Sequence, residues 1–518
     1  MQPRPASEPR VRAVVHDPLT SAVADLLRAA AAQATGPLPR AQLAELSDRL
    51  TGPLRLAIAG KIKAGKSTLL NALLGEELAP TDAGECTRIV TWYRHGDAPR
   101  IVVHPRQEPP VNAFFTRESG ALEVDLGGRS PEQIDRLEVF WPTERLRDVT
   151  LVDTPGIASI SSDLSARTLR VLTPDDDRPP VVDAVLYLLR HTHASDLRFL
   201  ESFHDDDLVR GSTLNTVGVL SRADEIGSCR LDALEVAERV GRRYQADPRL
   251  RRLCPVIVPV AGLLGFAGQS LREPEFRTLT TLAAAPRPEC DALLLTADRF
   301  ISRPSTIAIT ELERAHLLAR LGLFGVRLSV ELIRRGETGS ATALSAELTR
   351  RSGLNRLRTV LLRQFTDRAK VLKAHSALVS LEAILRAGGC RQPAALRAAA
   401  EQITASAHAF EEIRLLDQLR AGALQVPADR VEELDRLLGG AGHDPASRLG
   451  LEQDPPSTAI AEAALASLDR WQRLAEHPLS ARSVQVAARG ASRTLEGLLA
   501  LATEPVTEVY RTGGWSGR

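Results

Sequence analysis

Eight consecutive residues, Gly60-Lys61-Ile62-Lys63-Ala64-Gly65-Lys66-Ser67, match the spacing G-x-x-x-x-G-K-[ST] without a mismatch. Small residues in such a run let successive backbone N–H groups curl around a polyphosphate, and the helix that follows points its positive dipole end at the same anion. Lys66 then reaches the β- and γ-phosphates of a nucleotide, and Ser67 offers an oxygen to Mg²⁺. The run Gly60, Lys61, Ile62, Lys63, Ala64, Gly65, Lys66, Ser67 and Thr68 is the candidate nucleotide cradle. Lysine usage points the same way. Of 66 basic residues only five are lysine, and three of those five are Lys61, Lys63 and Lys66. A chain that uses arginine almost everywhere keeps lysine where a compact point charge must fit among phosphates.

Three further stretches complete the chemistry. Leu151-Val152-Asp153-Thr154-Pro155-Gly156 follows an apolar run some 85 residues downstream. An aspartate at a strand end there supports a Mg²⁺ shell, and the Gly156 N–H meets a γ-phosphate. Between the two motifs, in Gly84-Glu85-Cys86-Thr87-Arg88, Thr87 stands where a nucleotide switch places the threonine that closes the metal shell and orients the attacking water; the alternative is an ordinary loop residue. Ser221-Arg222-Ala223-Asp224 ends another apolar run. It departs from [NT]-K-x-D at Ser221, but Asp224 is placed to accept the guanine N–H edge and Arg222 can lay its stem over the base. Val260-Ala261-Gly262 is the weakly marked last base-contacting loop. His191 and His193 lack a third ligand nearby and read as a strand end rather than a metal pair. The acidic runs Asp175–Asp177 and Asp205–Asp207 read as solvated loops.

The elements that must position these residues follow from pattern. Leu54, Leu56 and Ile58 alternate as a strand that feeds the cradle, and Leu69-Leu70 continue it as a helix. Strands are expected at 54–59, 88–94, 99–104, 135–141, 149–153, 183–189, 216–221 and 255–260, alternating with helices as in a mostly parallel sheet. After about residue 265 the strand pattern stops. Helices are expected at 306–335, 341–387, 393–422, 428–438, 457–476 and 480–503. The clearest is 353–387, where Leu354, Leu357, Leu361, Phe365 and Leu372 share a face and Gly388-Gly389 supply a stop. A helix of that length spans about 50 Å, which suggests a stalk. Residues 1–17 have no periodicity and read as disordered. Residues 18–52 read as N-terminal helices that pack with the C-terminal helices, 53–265 as the α/β nucleotide-binding domain, and 266–518 as the helical remainder.

Composition excludes several classes. Basic and acidic residues balance at a net charge of +1, against a general polyanion binder. Five scattered cysteines without a C-x-x-C pair indicate neither a zinc site nor a disulfide framework and fit a reducing cytosol. MQPRPASEPR lacks an apolar signal region, and the most apolar stretch, 255–268, is interrupted by Pro259 and falls short of a membrane span.

With phosphate loop, switch threonine, D-T-P-G and S-R-A-D in this order ahead of a long helical region, the chain resembles the bacterial dynamin-like GTPases. Within that family it is similar to the isoniazid-inducible dynamin-like proteins of mycobacteria and related actinobacteria. The helical stretches LLARLGLFGVRLSVELIRRG and RSGLNRLRTVLLRQFTDRAKVLKAHSAL carry the resemblance beyond the nucleotide domain. It implies a fold that is α/β plus all-α: a P-loop GTPase head, with a mostly parallel sheet and flanking helices, on an elongated helical neck and trunk bundle. It also implies GTP/GDP and Mg²⁺ as cofactors, self-association through the heads, peripheral contact with lipid membrane, a homologous dynamin-like partner and no nucleic acid. The corresponding location is cytoplasmic, at the inner face of the cell membrane. Ser67, Thr87 and Asp153 would hold the metal.

Two positions depart from the wider family. Eukaryotic dynamins carry glutamine and serine where Ile62 and Lys63 stand here, so that catalytic pair is missing. Lys63 lies where the related guanylate-binding proteins place an arginine finger; it is either a third catalytic group beside Lys66 and Thr87, or a solvent-facing lysine. The rival readings are an Era-like assembly GTPase acting on RNA, against which the balanced charge counts, and a nucleotide-gated scaffold with negligible hydrolysis.

Overall fold

The computed structural model describes residues 18–80, 89–118, 121–155, 182–190, 216–247, 249–250, 254, 256–362, 365, 369–420, 422, 424, 426–452 and 455–503. Thr87, Gly156, the histidines 191 and 193, both acidic runs and residues 1–17 lie outside the described residues.

The sheet is built around β1 (Leu54–Gly60). Its residues split by face: Leu54, Leu56 and Ile58 enter one buried cluster, Ala57 and Ala59 the other. Both faces are therefore covered, as a central parallel strand requires. The helix α1 (Pro18–Ala32), the helix α2 (Pro37–Thr51) and β1 are followed by α3 (Lys66–Leu74), β2 (Val90–His95), β3 (Arg100–Pro105), β4 (Val111–Ala113), β5 (Phe115–Glu118) and β6 (Ala121–Val124). Next come β7 (Ile134–Trp141), β8 (Val149–Asp153), β9 (Ala184–Leu189), β10 (Thr216–Ser221), α4 (Ala233–Ala246) and β11 (Val256–Val260). The large sheet has the order β11-β10-β9-β1-β8-β2-β7-β3-β4. The strands β8, β1, β9, β10 and β11 run parallel, while β2 meets β8 antiparallel and β3 and β4 add antiparallel edges. The eight strands expected from pattern all form. The short β4 and the β5–β6 hairpin were not anticipated, because three or four residues carry too little alternation to read.

After the sheet the chain stays against it longer than the strand pattern suggests. The helices α5 (Gly262–Ser270), α6 (Glu273–Ala284), α7 (Arg287–Leu293) and α8 (Ala297–Ser302) precede α9 (Glu311–Arg334), and α10 (Ala341–Arg351) and α11 (Leu354–Leu361) follow. Leu264, Leu279, Leu317, Phe324, Leu344 and Leu348 belong to the same buried cluster as Ala57 and Tyr187 of the sheet. Leu354 and Leu357 belong to the cluster of the opposite face. The four helices between 262 and 302 fell where no long helix was expected, since Pro274, Pro286 and Pro288 break the periodicity into short pieces. The expected continuous segment 341–387 is interrupted. Gly353, at φ 78°, turns the chain between α10 and α11 because a Cβ there would lie 2.2 Å from the Pro259 carbonyl oxygen.

The remaining helices form two further cores. The helices α12 (Ala369–Arg386) and α13 (Pro393–Ser406) pack with α1 and α2 through Val23, Leu27, Leu43, Leu378, Leu381 and Leu396. Beyond them, α14 (His408–Arg420), α15 (Val431–Leu437), α16 (Pro445–Leu449), α17 (Ser457–Glu476) and α18 (Arg482–Thr503) enclose Leu415, Leu434, Trp471, Ala487 and Leu495. Polar contacts tie the first of these cores to the base of the sheet. Arg49 pairs with the buried Asp183 at 3.3 Å, Asp183 accepts the Arg55 N–H at 2.9 Å, and Lys373 donates to the Gly52 carbonyl at 2.7 Å. Among the described residues, no helix is long and apolar enough to cross a membrane.

Candidate nucleotide-binding site

The cradle sits at the carboxyl end of β1, where parallel sheets place ligands. Gly60 leaves the strand at φ 152°, Lys63 takes φ 62° and Gly65 takes φ 90° before α3 begins at Lys66. A Cβ on Gly60 would meet the Leu188 backbone at 3.0 Å, so glycine is required for the loop to lie against β9. The Ala64 N–H donates to the Lys61 carbonyl at 3.1 Å, closing the turn. Ile62 and Lys63 are exposed at its outer edge, whereas Ala64 is buried.

Two opposite charges, Lys66 and Asp153, interact electrostatically at this loop. The Lys66 ammonium folds back toward the Gly60 and Lys61 carbonyls, each at 3.4 Å, and burial lowers its pKa while Asp153 opposes the shift. Asp153 ends β8 in register with Ile58 of β1. Burial pushes its carboxyl up to about 6, with Lys66 pulling the other way. Its Oδ1 is sealed from solvent and has no hydrogen-bond partner. A buried carboxylate oxygen without a partner is expensive unless a cation or bound water completes it. The unpartnered Asp153 oxygen fits Mg²⁺, and Ser67, the second residue of α3, offers a hydroxyl of the matching hard-oxygen type. Thr154 fixes the neighbouring turn by donating its hydroxyl to the Ile58 carbonyl at 2.9 Å.

A pocket opens from the cradle, bounded by Gly65, Thr68, Arg222, Asp224, Val260 and Leu263. β10 and β11 pair in register up to Ser221 and Val260, so the S-R-A-D turn and the Val260-Ala261-Gly262 loop arrive side by side. Asp224 is 8% exposed, and burial pushes its carboxyl up to about 6. Arg222 adopts the left-handed region at φ 52°, and its Cγ lies 4.0 Å from where a Gly65 Cβ would stand. Ser221 lines the pocket too, but its hydroxyl donates to the Leu189 carbonyl at 3.2 Å and so helps hold β10 to β9. Two pocket residues escaped detection in the sequence. Leu263 carries no motif, and Glu225 lies one residue past the S-R-A-D pattern, with only its spacing of three residues from Arg222 as a signal.

Thus one pocket brings Ala64, Gly65 and Thr68 of the cradle together with Ser221, Arg222 and Asp224, and Lys66 of the same cradle interacts electrostatically with Asp153; Thr87 and Gly156 fall outside the described residues. A phosphate loop, a strand-end carboxylate and a second pocket floored by an aspartate define a P-loop nucleotide-binding head on a helical body. The Dynamin family model matches residues 56–223. Over 494 residues the chain is 43% identical to the isoniazid-induced protein IniC of Mycobacterium tuberculosis, covering 95% of this chain and 98% of IniC. It is 26% identical to a bacterial dynamin-like protein of Nostoc punctiforme over 54% of this chain and 41% of that one. IniA of M. tuberculosis matches at 31% over 28% of this chain and 22% of IniA. The chain belongs to the bacterial dynamin-like GTPases, in the family that includes IniC.

Proposed function

We propose that the protein binds GTP and hydrolyses it to GDP and phosphate, and that turnover drives self-association through the heads and remodelling of a membrane it touches peripherally. The observation that carries this reading is the sealed, unpartnered Asp153 oxygen in a carboxylate that interacts electrostatically with Lys66 of a backbone cradle, beside a pocket lined by Asp224. Lys66 stabilises charge on the β- and γ-phosphates. Ser67, Thr87 and Asp153 would hold Mg²⁺, which would neutralise phosphate charge. Gly156 donates its N–H to the γ-phosphate, Arg222 lies over the base and Asp224 accepts the guanine N–H groups. Lys63, exposed and in the left-handed region, is free to swing toward the γ-phosphate and offset its charge. If so, Lys63→Ala keeps nucleotide affinity and loses turnover, an effect worth about 10³–10⁵ for arginine fingers; unchanged turnover removes Lys63 from the mechanism.

The whole reading is tested by calorimetric titration of the protein with GDP and with a GTP analogue in the presence of Mg²⁺, followed by liposome co-sedimentation in the free, GDP and analogue states. Absence of heat with both nucleotides overturns it. Heat without nucleotide-dependent sedimentation leaves a guanine-nucleotide switch and removes the membrane step. The balanced net charge of +1 counts against the RNA-assembly alternative. The scaffold alternative draws on one feature: Ile62, 54% exposed, and Lys63 replace the polar pair of eukaryotic dynamins. Single-turnover hydrolysis with and without lipid separates it from an enzyme.

A further inference from the structure

Arg222 stands where lysine is usual, and the structure shows what its guanidinium is fastened to. The turn after β10 is tight: the Glu225 N–H donates to the Arg222 carbonyl at 3.0 Å, and Arg222 sits at φ 52°, ψ 44°. That geometry sets the two side chains side by side, and Arg222 Nη1 donates to Glu225 Oε1 at 2.6 Å. The other carboxylate oxygen, Oε2, accepts from Arg190 Nη2 at 2.9 Å, one residue beyond β9. The near end of the Arg222 side chain rests on the phosphate loop, with Cγ and Nε each 4.0 Å from the Cβ position of Gly65. One side chain thus crosses the rim of the pocket with both ends located. A lysine ammonium is a single point, whereas guanidinium can keep Nε over Gly65 while Nη1 is bound elsewhere.

We infer that Glu225 is a positioning residue for base recognition: bridged to Arg190, it holds Arg222 across the pocket rim so that the arginine stem is a preformed platform for a purine ring. This rests on the guanine-nucleotide reading and adds a residue that the S-R-A-D pattern does not contain. Preorganisation, not a contact of Glu225 with the nucleotide, is the source of the gain. A platform acts on the ring face and is blind to the exocyclic amine, which belongs to Asp224.

Equilibrium affinities of the full chain for GDP and IDP, with Mg²⁺, test it. Glu225→Ala is expected to weaken both by about fivefold, the scale of a half-exposed ion pair. Glu225→Gln, which keeps an acceptor for Arg222, should recover most of that loss, and Arg190→Ala should reproduce part of it. In an Arg222→Ala background, Glu225→Ala should add nothing, because its effect passes through Arg222. Unchanged affinity in Glu225→Ala, a loss confined to GDP, or an undiminished loss on top of Arg222→Ala overturns the inference. A wild-type protein that binds neither GDP nor IDP overturns the underlying reading instead, before any variant is compared.

Discussion

The two ends of the cleft are made of different material. The proposed phosphate end is main chain: Gly60, Lys63 and Gly65 hold φ of 152°, 62° and 90°, and its opposite charges, Lys66 and Asp153, are both partly buried. The proposed base end is side chain: Arg222 and Glu225 are each more than a third exposed, and the Ser221 hydroxyl bonds the strand beside it. A backbone cradle tolerates little drift in sequence, because a Cβ at Gly60 collides with β9. A side-chain pocket tolerates exchange, provided each new group finds an anchor. The difference explains why one end matches its pattern at every position and the other departs from it twice.

The comparison predicts unequal sensitivity. Lys66→Ala should have the largest effect, a loss of a hundredfold or more in GDP affinity, or about 3 kcal/mol, since it removes one of two desolvated charges opposed across the phosphate site. Calorimetry measures it, and far-ultraviolet dichroism should show the helices intact. An affinity within tenfold of wild type would mean that the backbone alone holds the phosphates.

Gly353→Ala strikes the base end from a distance. The new Cβ at φ 78° would lie 2.2 Å from the Pro259 carbonyl oxygen, beside Ala261, whose N–H donates to the Ser352 carbonyl at 2.9 Å. We expect a loss of about 2–3 kcal/mol in stability, read as a lower thermal midpoint. GDP affinity should fall while inorganic pyrophosphate, which needs only the cradle, binds as before. Equal losses for both ligands would erase the distinction between the ends.

Asp153→Asn sharpens the phosphate end through pH. Burial raises the Asp153 carboxyl from 3.8 to about 6, so ionising it disfavours the folded state relative to the unfolded chain. Its favourable contribution is complete below about pH 4 and lost as pH rises through about 6. In the nucleotide-free protein Asp153→Asn should therefore be more stable than wild type at pH 7.5, by about 1–3 kcal/mol, with the gap closing toward pH 4. Mg²⁺ with GDP should reverse the order at pH 7.5. Thermal midpoints at the two pH values, with and without ligand, give the answer; a gap that widens in acid contradicts the burial of the charge.

What could be read from the chain follows the same division. β1, the cradle and the strand ending in Asp153 were legible because alternation, glycine spacing and an acidic strand end are all local signals. The parallel strands were legible because strands buried on both faces leave near-continuous apolar runs, as in Ala184–Leu189. Gly353 was not legible as a break, since its reason is the carbonyl of Pro259, far away in sequence. The short helices from Gly262 to Ser302 escaped because proline divides them, and they are helices by virtue of packing on the sheet through residues such as Leu279 and Phe300. The bridge from Arg190 to Glu225 to Arg222 depends on β9 and β10 being neighbours, which no spacing reveals.

Ser221→Ala should have the smallest effect and decides what the departing residue does. If Ser221 serves only as a strap, deleting its hydroxyl removes one buried bond to the Leu189 carbonyl and costs about 0.5–1.5 kcal/mol of stability. The carbonyl remains in the β9–β10 ladder, so the strands stay paired and the pocket keeps its walls. GDP affinity should then change by less than about threefold, against a far larger loss for Asp224→Ala. A Ser221→Ala protein of unchanged stability that binds GDP tenfold more weakly would instead place the hydroxyl on the nucleotide. In that case the base end, like the phosphate end, would use every position of its motif for the ligand.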